Sequence, residues 1–149
     1  MLLIFDVDGT LIDSRAMILQ CARRTFADGA FAHPGDEAFL ATIGLLPDRM
    51  MERLFPDRPE PERLALAARY VEVVRATRRE RPDIETPYAG IHDLLAAMDR
   101  AGFTLGVATG KRRPGVDHML ETTGWHGLFR SLQTAESGPS KPDPTLIRN

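Results

Sequence analysis

Leu2-Leu3-Ile4-Phe5 is an apolar run that ends abruptly in Asp6-Val7-Asp8-Gly9-Thr10. No other feature constrains the fold so strongly. A short stretch with no polar alternation suits a strand buried on both faces of a parallel sheet, and such sheets need helical crossovers. Gly9 then supplies the tight turn by which the chain leaves the strand end. Two carboxylates two residues apart at that end can lean into one crevice.

The rest of the chain divides by pattern. From Ser14 to about Arg81 helix signals follow one another. Ser14 is expected to cap a first helix carrying Ile18, Cys21, Ala22 and Phe26. A second, after Pro34-Gly35-Asp36, carries Phe39, Leu40 and Ile43 and stops at Gly44, and a third opens at Pro47 with Met50, Met51 and Leu54. A fourth from about Pro61 has Leu64, Ala68, Val71 and Val74 as its expected apolar face. Pro82 ends it, and Thr86-Pro87-Tyr88 reads as a linker. No strand is expected between Ser14 and Arg81.

Beyond the linker, α/β alternation sets in. Ile91, Leu94, Leu95 and Met98 mark a helix closed by Gly102, followed by a strand from Phe103 to Ala108 ending at Thr109-Gly110-Lys111. A helix from Pro114 to Gly124 carries Val116, Met119 and Leu120, and a third strand is expected near Ser131 to Thr134. The predicted fold class is α/β, a doubly wound, parallel, Rossmann-like sheet with an inserted all-helical cap. Residues 1–13 and 83–149 form the expected core and residues 14–82 the insertion. Thr145 to Asn149 begins a helix that stops within about one turn, so the C-terminal part of the core is expected to be missing.

Composition narrows the partners. The chain has 149 residues, 43% of them hydrophobic and 27% charged, with a net charge of -2. That balance gives no general attraction to nucleic acid or to an anionic membrane. The apolar run at the N-terminus is too short for a signal sequence or a membrane span, and a cytoplasmic location is the default expectation. The lone cysteine, Cys21, lies on the first helix's apolar stripe and reads as a core residue.

Ligands in open α/β sheets bind beyond the carboxyl ends of the strands. Asp6 and Asp8 make a hard, oxygen-rich pair suited to Mg²⁺, and allow one carboxylate to attack while the other passes protons. Asp-x-Asp-Gly also occurs in turns and calcium loops, though no downstream calcium ligands follow here. Thr109 and Gly110, behind the second strand, offer a hydroxyl and unobstructed backbone N–H groups to phosphate oxygens; a polar turn would look the same. Lys141, behind the third, could neutralise phosphate charge or be an ordinary loop lysine. The placing of all three groups behind successive strands is the specific signal.

Asp6–Leu11 (DVDGTL), the strand that ends in VATGK at Lys111, and Ser140–Pro144 (SKPDP) resemble the first three motifs of the haloacid dehalogenase superfamily. The helical insertion is similar to the cap of its phosphoglycolate phosphatase-like branch. The resemblance implies a Mg²⁺-dependent phosphatase of small phosphorylated metabolites. Asp6 would be the nucleophile that forms an aspartyl-phosphate, and Asp8 the acid that protonates the leaving oxygen and then activates water. Thr109, with Gly9 and Gly110, would hold the phosphoryl group, and Lys141 would steady its charge. The metal would bind the Asp6 carboxylate and the main-chain carbonyl of Asp8. The family's fourth motif, an acidic pair that adds metal ligands, has no counterpart after Lys141; Asp143 belongs to the third motif's loop.

Asp8 argues against the dehalogenases, Thr10 against the sugar phosphomutases, and Asp8-Gly9 against the transport ATPases. A noncatalytic binding or regulatory protein of the same fold, favoured by the missing fourth motif, and a sugar phosphomutase stand as alternatives. A response-regulator receiver fits poorly, since no acid follows Val107-Ala108, and a dinucleotide-binding domain lacks its Gly-x-Gly-x-x-Gly turn. Two further expectations follow. The insertion closes as a mobile cap, with Thr42–Leu46 as either a substrate-facing loop or a plain connector. The first strand lies along an open edge that invites self-association, and the lack of the fourth motif's acidic ligands weakens metal binding and turnover.

Overall fold

The structure, a computed structural model, describes residues 1–139, 141 and 143–148. In chain order the elements are β1 (Leu2–Phe5), β2 (Ile12–Asp13), α1 (Arg15–Thr25), α2 (Asp36–Leu40), α3 (Pro47–Leu54), α4 (Glu60–Glu80), β3 (Thr86–Pro87), α5 (Ile91–Arg100), β4 (Thr104–Ala108), α6 (Arg113–Thr123), β5 (Phe129–Gln133) and α7 (Thr145–Arg148). They form two compact units, Met1–Asp13 with Glu85–Asn149, and Ser14–Ile84.

The first unit is α/β. Its sheet has the order β1-β4-β5, and both pairings are parallel, with Leu2 opposite Thr104, Phe5 opposite Val107 and Ala108 opposite Gln133. Parallel strands put all their carboxyl ends at one edge of the sheet, so Asp6, Thr109 and the loop after Gln133 emerge together. Val7, Leu11, Leu95, Leu105, Val107, Val116, Met119 and Trp125 pack into one apolar core that supports this edge. The α/β alternation and the parallel sheet agree with the sequence.

Three details differ. The run from Leu2 to Phe5 was expected to be buried on both faces, yet Leu2 is 53% exposed and Ile4 is also exposed. Among the described residues β1 has a neighbour on one side only, β4, the open edge expected for this strand, so its outer flank and one face stay open. Leu94, expected on the buried stripe of α5, points to solvent, while Leu95 is fully buried. Thr86-Pro87, read as a linker, forms β3, antiparallel to β2, with Ile12 opposite Pro87 and Asp13 opposite Thr86. Proline is tolerated there because a two-residue ribbon leaves edge positions that need no N–H donor.

The second unit is helical. Phe26, Phe39, Met50, Met51, Leu66, Ala67 and Tyr70 form its core around Cys21 and Ala22. The Phe39 ring packs edge-on against Phe26 and Tyr70, a favourable geometry for aromatic pairs. Arg24 joins α1 to α4, donating to Thr77 Oγ1 at 2.9 Å and to both Glu80 oxygens at 2.7 and 3.1 Å. The buried stripe of α4 is Leu66, Ala67, Tyr70 and Thr77, not the one expected from Leu64, which is 50% exposed. Alanine and valine occur on several faces of this helix, so spacing alone gave the wrong rotation. Ser14 occupies the N-cap position of α1 without a capping bond, its hydroxyl being buried and unpaired among the described residues. Among the described residues no helix is long and apolar enough to cross a membrane.

Candidate active site

The turn after β1 is built around one carbonyl. Val7 is fully buried, and its oxygen accepts from the N–H groups of Thr10, Leu11 and Ile12 at 3.2, 2.9 and 3.0 Å. Gly9 N–H donates to Ile12 O at 2.9 Å, and the φ of Gly9 is +82°, a conformation that disfavours any side chain. None of these bonds uses the Asp8 carbonyl oxygen. The winding of the turn fixes Asp6 and Asp8 on either side of the buried Val7.

β4 and β5 complete the edge. Thr109 is buried, and its N–H donates to Gln133 O at 3.0 Å. Its Oγ1 accepts from Lys111 N–H at 3.1 Å, which leaves the hydroxyl hydrogen for another acceptor. Gly110, half-buried, lies between them. Lys141, in the loop after β5, brings its Nζ to 3.0 Å from Asp6 Oδ1. That oxygen is buried and receives no well-aligned hydrogen bond among the described residues, and its contact with Lys141 is an ion pair. The structure thus joins Asp6 to Lys141 and sets Asp8 and Thr109 on adjacent strand ends. Ser140 and Pro142 of the third motif lie outside the described residues. Asp143 accepts from Thr145 Oγ1 at 2.5 Å and from Thr145 N–H at 2.9 Å, which together hold its carboxyl below the usual range and occupy it just before α7.

Three residues to which the motifs gave no role, Lys111, Glu85 and Glu136, join this edge. Lys111 Nζ donates to Asp8 Oδ1 at 2.8 Å and to Glu85 Oε1 at 2.7 Å. Glu136 links the two loops: it accepts from Arg112 Nε at 2.9 Å, Arg113 N–H at 3.0 Å and Thr134 Oγ1 at 2.9 Å. Burial pushes the Glu136 carboxyl up, but Arg112, the Arg113 amide and Thr134 together hold it below the usual carboxylate range. The sequence signal for Glu85 was faint, a single acid between Ile84 and Thr86-Pro87.

The sequence profile of the haloacid dehalogenase-like hydrolases matches residues 3–149. The chain belongs to that family. It is 31% identical to a phosphoglycolate phosphatase of Agrobacterium fabrum, over 98% of this chain and 64% of that enzyme. It is 27% identical to the pyrophosphatase PpaX of Bacillus velezensis, over 98% of this chain and 65% of the relative. A haloacid dehalogenase-like hydrolase from Bacteroides fragilis superposes with a TM-score of 0.87 at 19% identity, covering 99% of this chain and 69% of the other. The chain spans less than two thirds of the length of the Agrobacterium and Bacillus relatives.

Family members of this kind imply a divalent cation, and the donor set can be tested for it. Among the described residues Asp6 Oδ1 is a buried carboxylate oxygen without an aligned donor, and the Asp8 carbonyl is left out of the turn's hydrogen bonds. Among the described residues no group of three or more His, Cys, Asp or Glu side chains comes together. Mg²⁺ is commonly held by one or two carboxylates with waters and substrate phosphate, so two protein oxygens here fit it.

Proposed function

We propose that this chain carries the phosphoryl-transfer site of a Mg²⁺-dependent phosphatase that hydrolyses small phosphate monoesters through an aspartyl-phosphate at Asp6. The observation that carries this reading is the meeting of Lys141 and Asp6 beside the Asp8 turn and Thr109. The Asp6 carboxylate and the Asp8 main-chain carbonyl would hold Mg²⁺, which when bound supplies positive charge against the phosphate oxygens.

An Asp6 carboxylate oxygen attacks phosphorus, and an acyl-phosphate bond forms as the ester P–O bond breaks. The electron pair of that bond passes to the leaving oxygen, which takes a proton from Asp8 and departs as the alcohol. Asp8, now a carboxylate, takes a proton from water as its oxygen attacks phosphorus. Inorganic phosphate leaves and the Asp6 carboxylate returns. Thr109 donates its hydroxyl hydrogen to a phosphoryl oxygen, with the Gly110 N–H beside it; the Gly9 N–H, expected at the phosphate, is taken instead by Ile12 O within the turn. Lys141 offsets the repulsion between Asp6 and the phosphate dianion. In phosphoryl transfer such positioning and charge neutralisation do most of the work.

Phosphoglycolate suits this site as a substrate because the Agrobacterium relative acts on it, and the PpaX relative adds pyrophosphate as a second test compound. We assign substrate selection to the helical unit, with Thr42–Leu46 as its first segment to probe. Phosphate release from phosphoglycolate, pyrophosphate and p-nitrophenyl phosphate should require Mg²⁺, stop with EDTA and return on adding the metal. Release from none of them, or release indifferent to EDTA, overturns the reading.

A further inference from the structure

Asp8 has a built-in partner. Lys111 reaches back from the turn after β4 and divides its ammonium between Asp8 Oδ1 at 2.8 Å and Glu85 Oε1 at 2.7 Å. The Lys111 and Glu85 side chains are each 6% exposed, and that of Asp8 is 16% exposed. All three residues belong to the α/β unit. The backbone of Lys111 is fixed on both sides, its N–H bonded to Thr109 Oγ1 and its carbonyl accepting from Ala135 N–H at 3.1 Å. The ammonium therefore has little freedom to choose another partner.

Burying an ammonium is costly unless it is paired. Glu85 alone would satisfy that need. The additional bond to Asp8 does something Glu85 does not require: it holds one oxygen of a carboxylate that sits on a short turn. With Oδ1 engaged, Oδ2 is the oxygen left to meet a reacting group. We propose that Lys111, itself held by Glu85, is a positioning residue that orients the Asp8 carboxyl group, whose Oδ2 carries the proton, for proton transfer to the leaving oxygen. The inference rests on the reading of Asp8 as the acid. Glu85 precedes β3, where the chain returns from the helical residues, so the alignment of Asp8 is tied to the placing of that return segment.

The test uses leaving groups that differ in their need for a proton. p-Nitrophenolate departs without much help, whereas an alkoxide needs the proton as the P–O bond breaks. kcat/KM includes only the steps up to that departure. It would be measured with Mg²⁺ for p-nitrophenyl phosphate and for an alkyl phosphate, using the protein as its gene encodes it. The variants are Lys111→Met, which keeps the stem and removes the charge, Glu85→Gln, which keeps an acceptor for the ammonium, and Asp8→Asn as the reference. Lys111→Met is expected to lower kcat/KM for the alkyl ester by about tenfold or more beyond its effect on the aryl ester, within the range that general acid catalysis supplies. Glu85→Gln should shift the ratio in the same direction by less, and it decides the question if Lys111→Met does not fold. Equal losses for both esters, with Asp8→Asn still separating them, mean a purely structural ion pair and overturn the inference alone. If Asp8→Asn fails to separate the esters, the acid assignment falls and the inference falls with it.

Discussion

Lys141 Nζ stands 3.0 Å from Asp6 Oδ1, so the loop after the last strand of the sheet meets the end of its first. The contact depends on the parallel order β1-β4-β5, which returns each strand's carboxyl end to one edge. It also carries a prediction. In the proposed chemistry Lys141 faces the charge that develops on the nucleophile and phosphoryl group. Lys141→Ala should lower kcat by about 10²–10³, the usual cost of losing one preorganised charge-stabilising donor. Its side chain is partly exposed, so the melting temperature should move little. Steady-state phosphate release beside a thermal melt checks both, and an unchanged kcat would remove Lys141 from the reaction.

The Glu136 bridge is predicted to show itself in the pH dependence of stability. Its carboxyl is held below its usual range in the folded chain, so its contribution is present above the unfolded value and is lost as pH falls through the folded one. Glu136→Gln should therefore unfold at a lower temperature than the parent near neutral pH, and the two should converge in acid. Parallel melting curves at all pH values would show that the bridge to Arg112 and Arg113 adds nothing.

In the helical unit Phe39 is fully buried between Phe26 and Tyr70. Phe39→Ala should destabilise it by about 3–5 kcal/mol, the transfer and cavity cost of a buried phenyl group. Chemical denaturation followed by circular dichroism measures this. A loss below about 1 kcal/mol would mean that the core collapses around the gap.

Much of this was legible because the chemistry sits where the chain pattern changes. Leu2–Phe5 running into Asp6 marks a strand end, and the two later motifs repeat that signature behind β4 and β5. Rotation was less legible. Leu64 and Leu94 are apolar residues at helical spacing that face solvent, because each helix has more apolar positions than its partners can cover. The partnership of Lys111 with Glu85 was not legible either. It depends on a side chain crossing from one turn to the return segment, and no local spacing encodes that. Ser14 has the right residue type for a cap, but its hydroxyl is turned inward.

The open flank of β1 predicts association. Leu2 and Ile4 present exposed apolar side chains along a strand with β4 on one side only among the described residues. Such edges pair readily with a second copy. Light scattering on the 149-residue chain should show concentration-dependent growth in mass, reduced by Ile4→Lys. A monomer at all concentrations would contradict this.

The central claim is that Asp6 carries the phosphoryl group. In Asp8→Asn the hydrolytic step loses its base, so an adduct formed at Asp6 should persist. Mixing that variant with Mg²⁺ and p-nitrophenyl phosphate, quenching in acid and mapping peptides by mass spectrometry tests it directly. The account predicts one phosphoryl group on the peptide containing Asp6, removable by hydroxylamine and absent from Asp6→Asn. Phosphate release by the parent protein with the label on another residue, or with Asp6→Asn turning over at the parent rate, would contradict it.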